Sequence, residues 1–553
     1  MDILLFSILT NFLYFCSGSI FIKKIKEDFH SQFKVYILGV IFVSFISLLL
    51  NFFTALNPNV NSIIYLIIFF AFIIKKKFIL NKQHLIFLLV SSLITFLLLI
   101  YSNVNRPDAG LYHLPYISII NENKIIFGLS NIHFRFGHIS ILQYLSAINN
   151  NYLFLENGIS IPLASIVSFF YIYFFYDVWK IISKKEKISL SKYFSLSIVI
   201  YIAFKITDYS KFGNDAVAHL SFFYLVSYIL TNEIKKINFN FTLAIAVFAF
   251  INKTTLGFIF IIPIIIFFLQ NKFNLKKFFF TIFSPPSLLL YLWLIKNIII
   301  SGCAIYPVTI TCFKQFSWTN IQKTTDISIE SNAWAKGWPD RVEEKNLSMV
   351  EFTKNFNWFD AWRQKHLNYI LKILIPYVII LFFIIFYIKL NSKNENIYNN
   401  KDFKIRFFLS CITSLVGTAF FFFLFPLYRY GYSYVITIIA LLFILMIKNN
   451  LFNKKNITVF KFFFIICFLL ILGKQLFKNF KNSVNTPWPN LYTLDINGEI
   501  YLKKKIKIGE NFTYYLADKG DNLCMYSKTI CTSYIINNVK YSIKKNYLFL
   551  NVN

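Results

Sequence analysis

Long apolar runs, separated by short basic or polar breaks, recur along the whole chain. A run of about 20 residues matches the length of a helix that crosses a bilayer, so each run predicts a membrane-spanning helix. The pattern predicts an all-α polytopic membrane protein with about fourteen transmembrane helices. Their predicted bounds are 3–22, 35–56, 60–74, 84–103, 158–179, 190–206, 214–231, 239–251, 255–271, 278–300, 368–388, 405–425, 433–448 and 457–476.

Positive charge alternates between the breaks, and this alternation indicates how the spans are oriented. Lysine and arginine concentrate in breaks such as 75–83, 180–192 and 389–404, whereas the short breaks 57–59 and 252–254 hold one or none. Under the positive-inside rule, the basic breaks are cytoplasmic. The first run has no basic segment before it, so it predicts a retained span, and both termini are expected outside.

Three segments on the predicted outer side are longer than simple turns: residues 104–157, 301–367 and 477–553. The last of them alternates short β-type runs with glycine and asparagine, which predicts a small, β-rich outer domain. Long outer segments on a membrane scaffold are where binding and catalytic residues concentrate.

The composition agrees with a membrane protein and disfavours a nucleic-acid partner. Charged residues make up 15% of the chain, against roughly 25% in soluble proteins. The net charge of +31 arises from lysine clusters between apolar runs, such as residues 75–77, and not from one basic surface. The expected partner is therefore membrane lipid and not nucleic acid.

The seven cysteines divide between the apolar runs and the outer segments. Cys303 and Cys312 form one close pair in the outer segments, and Cys524 and Cys531 form another. Close spacing also arises by chance, but an oxidising compartment permits disulfides, so we expect the bridges Cys303–Cys312 and Cys524–Cys531. No cysteine or histidine spacing predicts a zinc site.

The first outer segment begins with a group of ionisable side chains, Arg106, Asp108 and His113. The Asp108 carboxylate could take a proton from an attacking hydroxyl, or bind a metal that neutralises a phosphate. His113 could reach Asp108 across the first turns of a short interfacial helix. The alternative is that Asp108 only caps that helix.

Further along the same segment, His133, Arg135 and His138 alternate with apolar residues. The planar guanidinium of Arg135 matches the geometry of a phosphate. The alternative is an amphipathic interfacial helix whose basic residues contact lipid headgroups.

A third candidate lies at the start of a predicted span, where Asp215 and His219 are four residues apart and therefore share a helix face. An ionisable pair at such a position is costly, which makes it a functional candidate. The alternative is that Asn214 and Asp215 stabilise the helix N-terminus.

The outer segment 301–367 is rich in tryptophan, which could stack on a sugar or lipid or lie in an aromatic belt at headgroup depth. Its tryptophans are Trp318, Trp334, Trp338, Trp358 and Trp362. The outer arginines, which could bind an anionic ligand, include Arg341, Arg363 and Arg429.

The placement of Asp108 in a long first outer segment, and of Asp215 in the next one, resembles the GT-C superfamily of membrane glycosyltransferases. The resemblance implies transfer of a sugar from a polyprenyl-phosphate-linked donor to a glycan, lipid or protein acceptor outside the membrane. It matches residues 84–476 to a GT-C-like membrane core. Three additional spans precede that core in residues 1–83, and the small outer domain follows in residues 477–553.

The resemblance also implies a role for each candidate residue. Asp108 would deprotonate the acceptor, and Asp215 and His113 would assist it or hold a divalent cation, Mg²⁺ or Mn²⁺. The donor phosphate would be bound by basic residues of the first outer segment: Arg106, His133, Arg135 and His138. The acceptor or substrate loop would include Trp334, Trp338 and Arg341. This chain departs from the family in its first motif, where Asp108 stands alone and not as one of an acidic pair.

The strings Pro-Asp-Ala-Gly-Leu-Tyr-His at 107–113 and Ser-Gly-Cys-Ala-Ile-Tyr-Pro at 301–307 also look like an uncharacterised family of bacterial membrane proteins. That likeness implies the bacterial cytoplasmic (inner) membrane, with the outer segments periplasmic or extracellular.

Two other functions compete with glycosyl transfer. A polymerase or ligase of surface glycans would depend on Arg341, Arg363 and Arg429 and not on Asp108. A transporter or lipid flippase predicts ionisable residues deep in the spans, whereas here the polar residues concentrate at one face.

Overall fold

The computed structural model places most of the chain in α-helices, as the apolar pattern predicts. The residues that it describes are 2–22, 27–75, 82–102, 107–209, 212–281, 283–339, 347–391, 401–447, 456–483, 488–489, 491–492, 504–508, 512–517, 523–527, 530–533, 536 and 539–552.

Four long helices open the chain. They are α1 (Asp2–Ser19), α2 (Phe29–Asn51), α3 (Pro58–Lys75) and α4 (Lys82–Leu99). The side chain of Asp28 caps α2 by accepting a hydrogen bond from the backbone N–H of Ser31 at 3.0 Å. Helix α1 packs against both α2 and α4, so the three additional predicted spans join directly onto the helix that leads to Asp108.

Five helices follow. They are α5 (Leu114–Glu122), α6 (Ile141–Ile148), α7 (Ile161–Ile182), α8 (Leu190–Tyr209) and α9 (Asp215–Thr231). A capping box between Ser140 and Gln143 begins α6. Helices α5 and α6 pack against each other, and α6 also packs against α2, which anchors segment 104–157 to the bundle.

The next helices are short or bent. They are α10 (Phe239–Asn252), α11 (Ile261–Gln270), α12 (Leu275–Thr281) and α13 (Pro285–Ser301). A 3₁₀ segment, Thr254–Phe260, joins α10 to α11. Helices α12 and α13 are bent by 60° relative to each other, at the position where the sequence predicts a single span.

The described part of segment 301–367 contains three α-helices, and four long helices follow it. The bounds are α14 (Ile321–Ala335), α15 (Met349–Thr353), α16 (Phe359–Trp362), α17 (Asn368–Asn391), α18 (Lys401–Leu424), α19 (Tyr428–Ile447) and α20 (Asn456–Asn482). Helices α18 and α19 pack against each other, and the short connection between them places Arg429 in the first turn of α19.

The C-terminal region is a small β structure, as expected. Its strands are β1 (Lys504–Ile508), β2 (Phe512–Leu516), β3 (Cys531–Thr532), β4 (Val539–Lys544) and β5 (Tyr547–Val552). Strand β2 pairs antiparallel with β1 and parallel with β3, while β4 and β5 form a separate hairpin. The structure contains the two expected disulfides, Cys303–Cys312 and Cys524–Cys531.

Twelve of the predicted spans each fall on one α-helix, whereas 255–271 is a 3₁₀ segment followed by α11, and 278–300 is divided between α12 and α13. Among the described residues, nine helices are long and apolar enough to cross a membrane, or ten if the bent pair α12–α13 counts as one span. The apolar stretches Asp215–Thr231, Phe239–Asn252 and Thr254–Gln270 are shorter. The chain is therefore an α-helical multi-pass membrane protein, and the fourteen crossings stay a prediction.

Helix α7 lies at the centre of the bundle. In the helical stretch Leu155–Ile182, 94% of the most apolar run of 18 consecutive residues is buried. The corresponding run of 18 residues in α20 is 22% buried. A helix that is apolar on all sides and fully enclosed belongs to the core, whereas one that exposes apolar side chains faces lipid. Helix α20 therefore lies at the periphery of the bundle.

Candidate functional site

Asp108 binds two arginines that are distant in sequence. Its Oδ1 accepts a hydrogen bond from Arg135 Nη1 at 3.3 Å, and its Oδ2 accepts one from Arg429 Nη1 at 2.7 Å. Burial by itself raises the pKa of Asp108, but Arg429 and Arg135 outweigh burial and hold that pKa below its usual range. Asp108 is therefore ionised, and it joins segment 104–157 to the first turn of α19.

The backbone after Asp108 is a π-helix, Ala109–His113, which continues into α5. Single π-helical turns inside helices are rare and recur at functional sites. Within this described turn, the Asp108 carboxylate makes no capping hydrogen bond to the backbone. The helix-cap alternative for Asp108 is therefore not supported by the geometry, because its carboxylate binds the two guanidinium groups.

Asp215, the first residue of α9, forms an ion pair with Lys253, which follows α10. Asn214, one residue earlier, donates a hydrogen bond from its side-chain amide to the carbonyl of Asn252. These two contacts join the start of α9 to the end of α10. Asp215 thus has a specific cationic partner, which a role in stabilising the helix N-terminus does not require.

Tyr430 connects the two acidic residues. Its ring lies 4.3 Å from Lys253 Nζ and 5.3 Å from the Arg429 guanidinium carbon. Arg429, bonded to Asp108, is also close enough to Asp215 to interact with it electrostatically. We call Asp108, Arg135, Asp215, Lys253, Arg429 and Tyr430 the site cluster, and the end of the bundle that carries it the site end.

The site cluster carries more positive than negative charge. Its three cations, Arg135, Lys253 and Arg429, face two carboxylates, which leaves an excess of +1. The side chain of Arg429 is 45% exposed and that of Asp108 is 29% exposed, so the cluster is accessible from outside the protein. An open cluster with surplus guanidinium groups is suited to binding an anion, because arginine pairs bidentately with phosphates and carboxylates.

His113 lies beside the cluster but is buried. One of its ring nitrogens shares a hydrogen bond with the Gln143 side-chain amide at 2.7 Å. Burial lowers the pKa of His113 to about 4, although Asp108 and Asp215 act in the opposite direction. The imidazole is therefore neutral at neutral pH.

The other two predicted histidines are placed differently from each other. His133 accepts a hydrogen bond from the backbone N–H of Arg135 and so caps the 3₁₀ helix Phe134–His138. Burial lowers the pKa of His133 to about 3, so a role as a cation that binds phosphate is not supported there. His138 is exposed, and its ring lies edge-on to Tyr306 at 5.1 Å.

The tryptophan-rich segment contacts the chain close to the site cluster at Trp362, whose indole N–H donates to the carbonyl of Pro426 at 2.7 Å, three residues before Arg429. Trp334 is exposed on α14, and Lys365 Nζ lies 5.6 Å from its ring. Trp338 packs against Phe352 at 5.3 Å. Arg363 pairs weakly with its neighbour Asp360 at 3.6 Å. Arg106 and Arg341 lie outside the described residues.

Sequence reasoning missed Lys253 and Tyr430. Lys253 sits in the short polar break after α10, on the side where the charge pattern predicts few lysines. Its position was the available signal, because a lysine on the predicted outer side departs from the positive-inside rule. Tyr430 has no comparable signal, because its neighbours come from distant parts of the chain.

The C-terminal region packs against the back of the Asp108 segment. The backbone N–H of Met525 donates to the carbonyl of Gly110 at 2.8 Å, and the Tyr526 hydroxyl donates to Asn121 at 3.2 Å. A Cβ atom at Gly110 would lie 2.6 Å from the Met525 sulfur, so this approach favours glycine. The disulfide between residues 524 and 531 closes the loop that makes these contacts.

The site cluster does not fit a divalent cation. Asp108 and Asp215 both bind cationic side chains. Across the described ranges, histidine, cysteine, aspartate and glutamate nowhere group in threes that could hold a metal ion. A bound Mg²⁺ or Mn²⁺ would require the carboxylate oxygens of Asp108 and Asp215, which pair with arginine and lysine here.

The fold and the site cluster define a multi-pass membrane protein with a cation-rich cluster at one end. The chain belongs to a family described as a domain of unknown function (DUF8201), whose model matches residues 1–436. No curated protein and no solved structure matches the chain. The matched part ends after Arg429, so it contains the whole site cluster.

Proposed function

We propose that this protein is a GT-C-like glycosyltransferase. It transfers a sugar from a polyprenyl-phosphate-linked donor to a glycan, lipid or protein acceptor on the outer face of the membrane. The observation that carries the proposal is that Asp108 and Asp215, from two different loops, join one accessible cluster with Arg135, Arg429 and Lys253.

The depth of the cluster supports a lipid-linked substrate. Helix α9 has 17 residues and α10 has 14, so they are about 25 and 21 Å long at 1.5 Å per residue. The hydrocarbon core of a bilayer is about 30 Å thick. Because both helices are shorter than this core, Asp215 and Lys253 at their ends would lie just below the headgroups and not out in the water, within reach of the phosphate of a lipid-linked donor.

The charge pattern supports an outward-facing site. Lysines cluster at the opposite end of the bundle, including Lys180 at the end of α7 and Lys192 at the start of α8. Lysine-rich ends are cytoplasmic under the positive-inside rule. The site end would then face the periplasm or the exterior of a bacterial cell.

The resting contacts of Asp108 suit a base that is released by substrate. A carboxylate bound to two arginines is a weak base, because its pKa is low. When a donor phosphate takes over Arg135 and Arg429, Asp108 loses those partners and its pKa rises toward the range of an effective general base.

The transfer itself would be a single displacement. The acceptor hydroxyl oxygen forms a bond to the anomeric carbon, and its proton passes to Asp108. The bond from that carbon to the phosphate oxygen breaks, and its electrons leave with the polyprenyl phosphate. Arg135 and Arg429 stabilise the charge on this leaving group. Without a covalent intermediate, the configuration at the anomeric carbon inverts.

A polymerase or ligase of surface glycans is the second candidate, since Arg429 belongs to the site cluster. It would use a lipid-linked oligosaccharide as donor and would lengthen a glycan. The two candidates share the anionic lipid carrier and differ in the product.

The test is a transfer assay with purified protein in nanodiscs, a set of radiolabelled polyprenyl-phosphate sugars and an extract of envelope acceptors. Release of labelled sugar from the lipid is measured, and the product is sized. We expect turnover by the natural protein and a loss of roughly 10²–10⁴-fold in Asp108→Asn.

Asp360→Asn is the matched control, because Asp360 is exposed and lies outside the site cluster. It should keep normal turnover, and a loss of turnover in Arg363→Gln would favour the polymerase. Full activity in a folded Asp108→Asn protein would overturn the proposed base, and a ladder of lengthened glycans would favour the polymerase.

A further inference from the structure

A groove of about 760 Å³ runs along one face of α20, away from the site cluster. Its lining residues recur every three or four positions, which places them on a single helix face. They are Ile466, Leu469, Leu470, Gly473, Lys474, Phe477, Lys478, Lys481 and Asn482. We call this surface the α20 groove.

The α20 groove changes character along its length. Its first part, residues 466–473, is lined by aliphatic side chains and Gly473. Its second part, residues 474–482, carries Lys474, Lys478 and Lys481. An apolar channel that leads to a cationic end has the pattern of an anionic lipid, with an acyl chain in the first part and a phosphate at the second.

The cationic part lies at the site end of the bundle. Lys478 Nζ donates to the carbonyls of Leu97 and Leu98, at the end of α4, at 3.2 and 3.0 Å. Lys474 Nζ donates to the carbonyls of Ala203 and Phe204, near the end of α8, at 2.8 and 2.9 Å. Lys478 thereby complements the negative end of the α4 dipole.

Those contacts leave net positive charge in the groove. Helix carbonyls carry only partial charges, and the sequence of α20 contains no aspartate or glutamate. Lys481 is exposed at the same end. In the orientation proposed above these lysines lie on the outer side, where lysine is disfavoured near spanning helices. Charge complementarity therefore favours an anionic occupant.

We infer that the α20 groove is a binding site for one anionic phospholipid. An acyl chain lies along the aliphatic part beside Gly473, and the phosphate pairs with Lys478 and Lys481. The bound lipid neutralises the lysines that hold the ends of α4 and α8, the helices that lead to Asp108 and Asp215. This inference does not depend on the proposed sugar transfer.

The test is native mass spectrometry of protein released from nanodiscs that contain equal amounts of phosphatidylglycerol and phosphatidylcholine. The natural protein should retain one phosphatidylglycerol in preference to phosphatidylcholine. Lys481→Gln removes one charge and should weaken that preference about fivefold. Equal retention of the two lipids by the natural protein would overturn the inference.

Gly473→Phe fills the groove without removing charge. A Cβ atom at Gly473 meets no atom within 4 Å, so the variant should fold and lose about tenfold or more in lipid retention. Lys461→Gln is the control, because Lys461 is exposed on the same helix outside the groove. Unchanged retention in Gly473→Phe, or displacement of the lipid by stoichiometric polyprenyl phosphate, would contradict a phospholipid site.

Discussion

Two clusters of charged residues lie at opposite ends of the bundle, and they differ in how deeply their side chains are buried and in their net charge. At the end opposite the site, Asp177 of α7 forms an ion pair with Lys192 of α8 and accepts a hydrogen bond from Ser195. His30 of α2 lies 3.3 Å from the same carboxylate. Lys192 also pairs with Glu186 at 2.7 Å. We call these residues, with Lys180, the Asp177 network.

The difference between the two clusters lies in exposure and charge balance. Asp177 and Lys192 are only 1% and 4% exposed, and the two lysines of the network balance its two carboxylates. The site cluster is open and has an excess of one cation. A closed, balanced network braces helices, whereas an open cluster with excess charge is available to a ligand.

The largest expected effect comes from breaking the closed network. Asp177→Asn leaves Lys192 buried with less compensation, so we expect a loss of about 3–5 kcal/mol in the free energy of unfolding. Asp108→Asn removes a partly exposed partner and should cost about 1 kcal/mol or less. Chemical unfolding of both variants in the same detergent measures the difference. Equal losses in the two variants would show that the Asp177 network does not stabilise the fold more than the site cluster does.

Acid should destabilise the fold in part through the buried ring of His113. Above pH 6.5 the ring of His113 is neutral in the folded and unfolded states alike. As the pH falls from 6.5 to about 4, the unfolded state takes up a proton that the folded state does not. Folding stability should therefore fall in this window by up to about 3 kcal/mol.

His113→Gln removes the titrating ring, so its unfolding free energy should depend less steeply on pH between 6.5 and 4. The comparison is made by chemical unfolding of the natural protein and the variant at each pH. Identical slopes would mean that His113 is not held neutral by burial.

A smaller effect is expected where the C-terminal region contacts the site end. Gly110→Leu inserts a side chain against Met525 and Leu523 and should cost about 1–3 kcal/mol. Gly213→Leu is the control, because a Cβ there meets no atom within 4 Å. Hydrogen exchange of residues 107–122 should rise in Gly110→Leu alone. A similar rise in both variants would show that the packing of Gly110 against Met525 does not specifically stabilise residues 107–122.

The apolar pattern predicted the helices because each one is encoded locally, by a run of apolar residues of sufficient length. It did not predict the 60° bend between α12 and α13, which lies within one apolar run. It also predicted a β-rich domain in residues 477–553, and strands β1 to β5 lie in the described part of that segment.

The candidate site was predictable only in part, for a physical reason. Asp108 and Asp215 stand out because carboxylates beside apolar runs are costly. Their partners Arg429 and Lys253 come from turns far along the chain, and no local pattern encodes such contacts. The Tyr430 ring lies near both Lys253 and Arg429. This proximity arises only when the chain is folded, so the sequence gives no local sign of it.

The measurement that tests the central claim most directly is the affinity of the purified protein, in nanodiscs, for a short-chain polyprenyl phosphate. We predict that Arg429→Gln raises the Kd at least about tenfold, equivalent to about 1.4 kcal/mol, and that added salt weakens binding to the natural protein. Arg363→Gln, which alters an exposed arginine outside the site cluster, should leave the Kd unchanged. Equal affinities for the natural protein and Arg429→Gln would contradict the account.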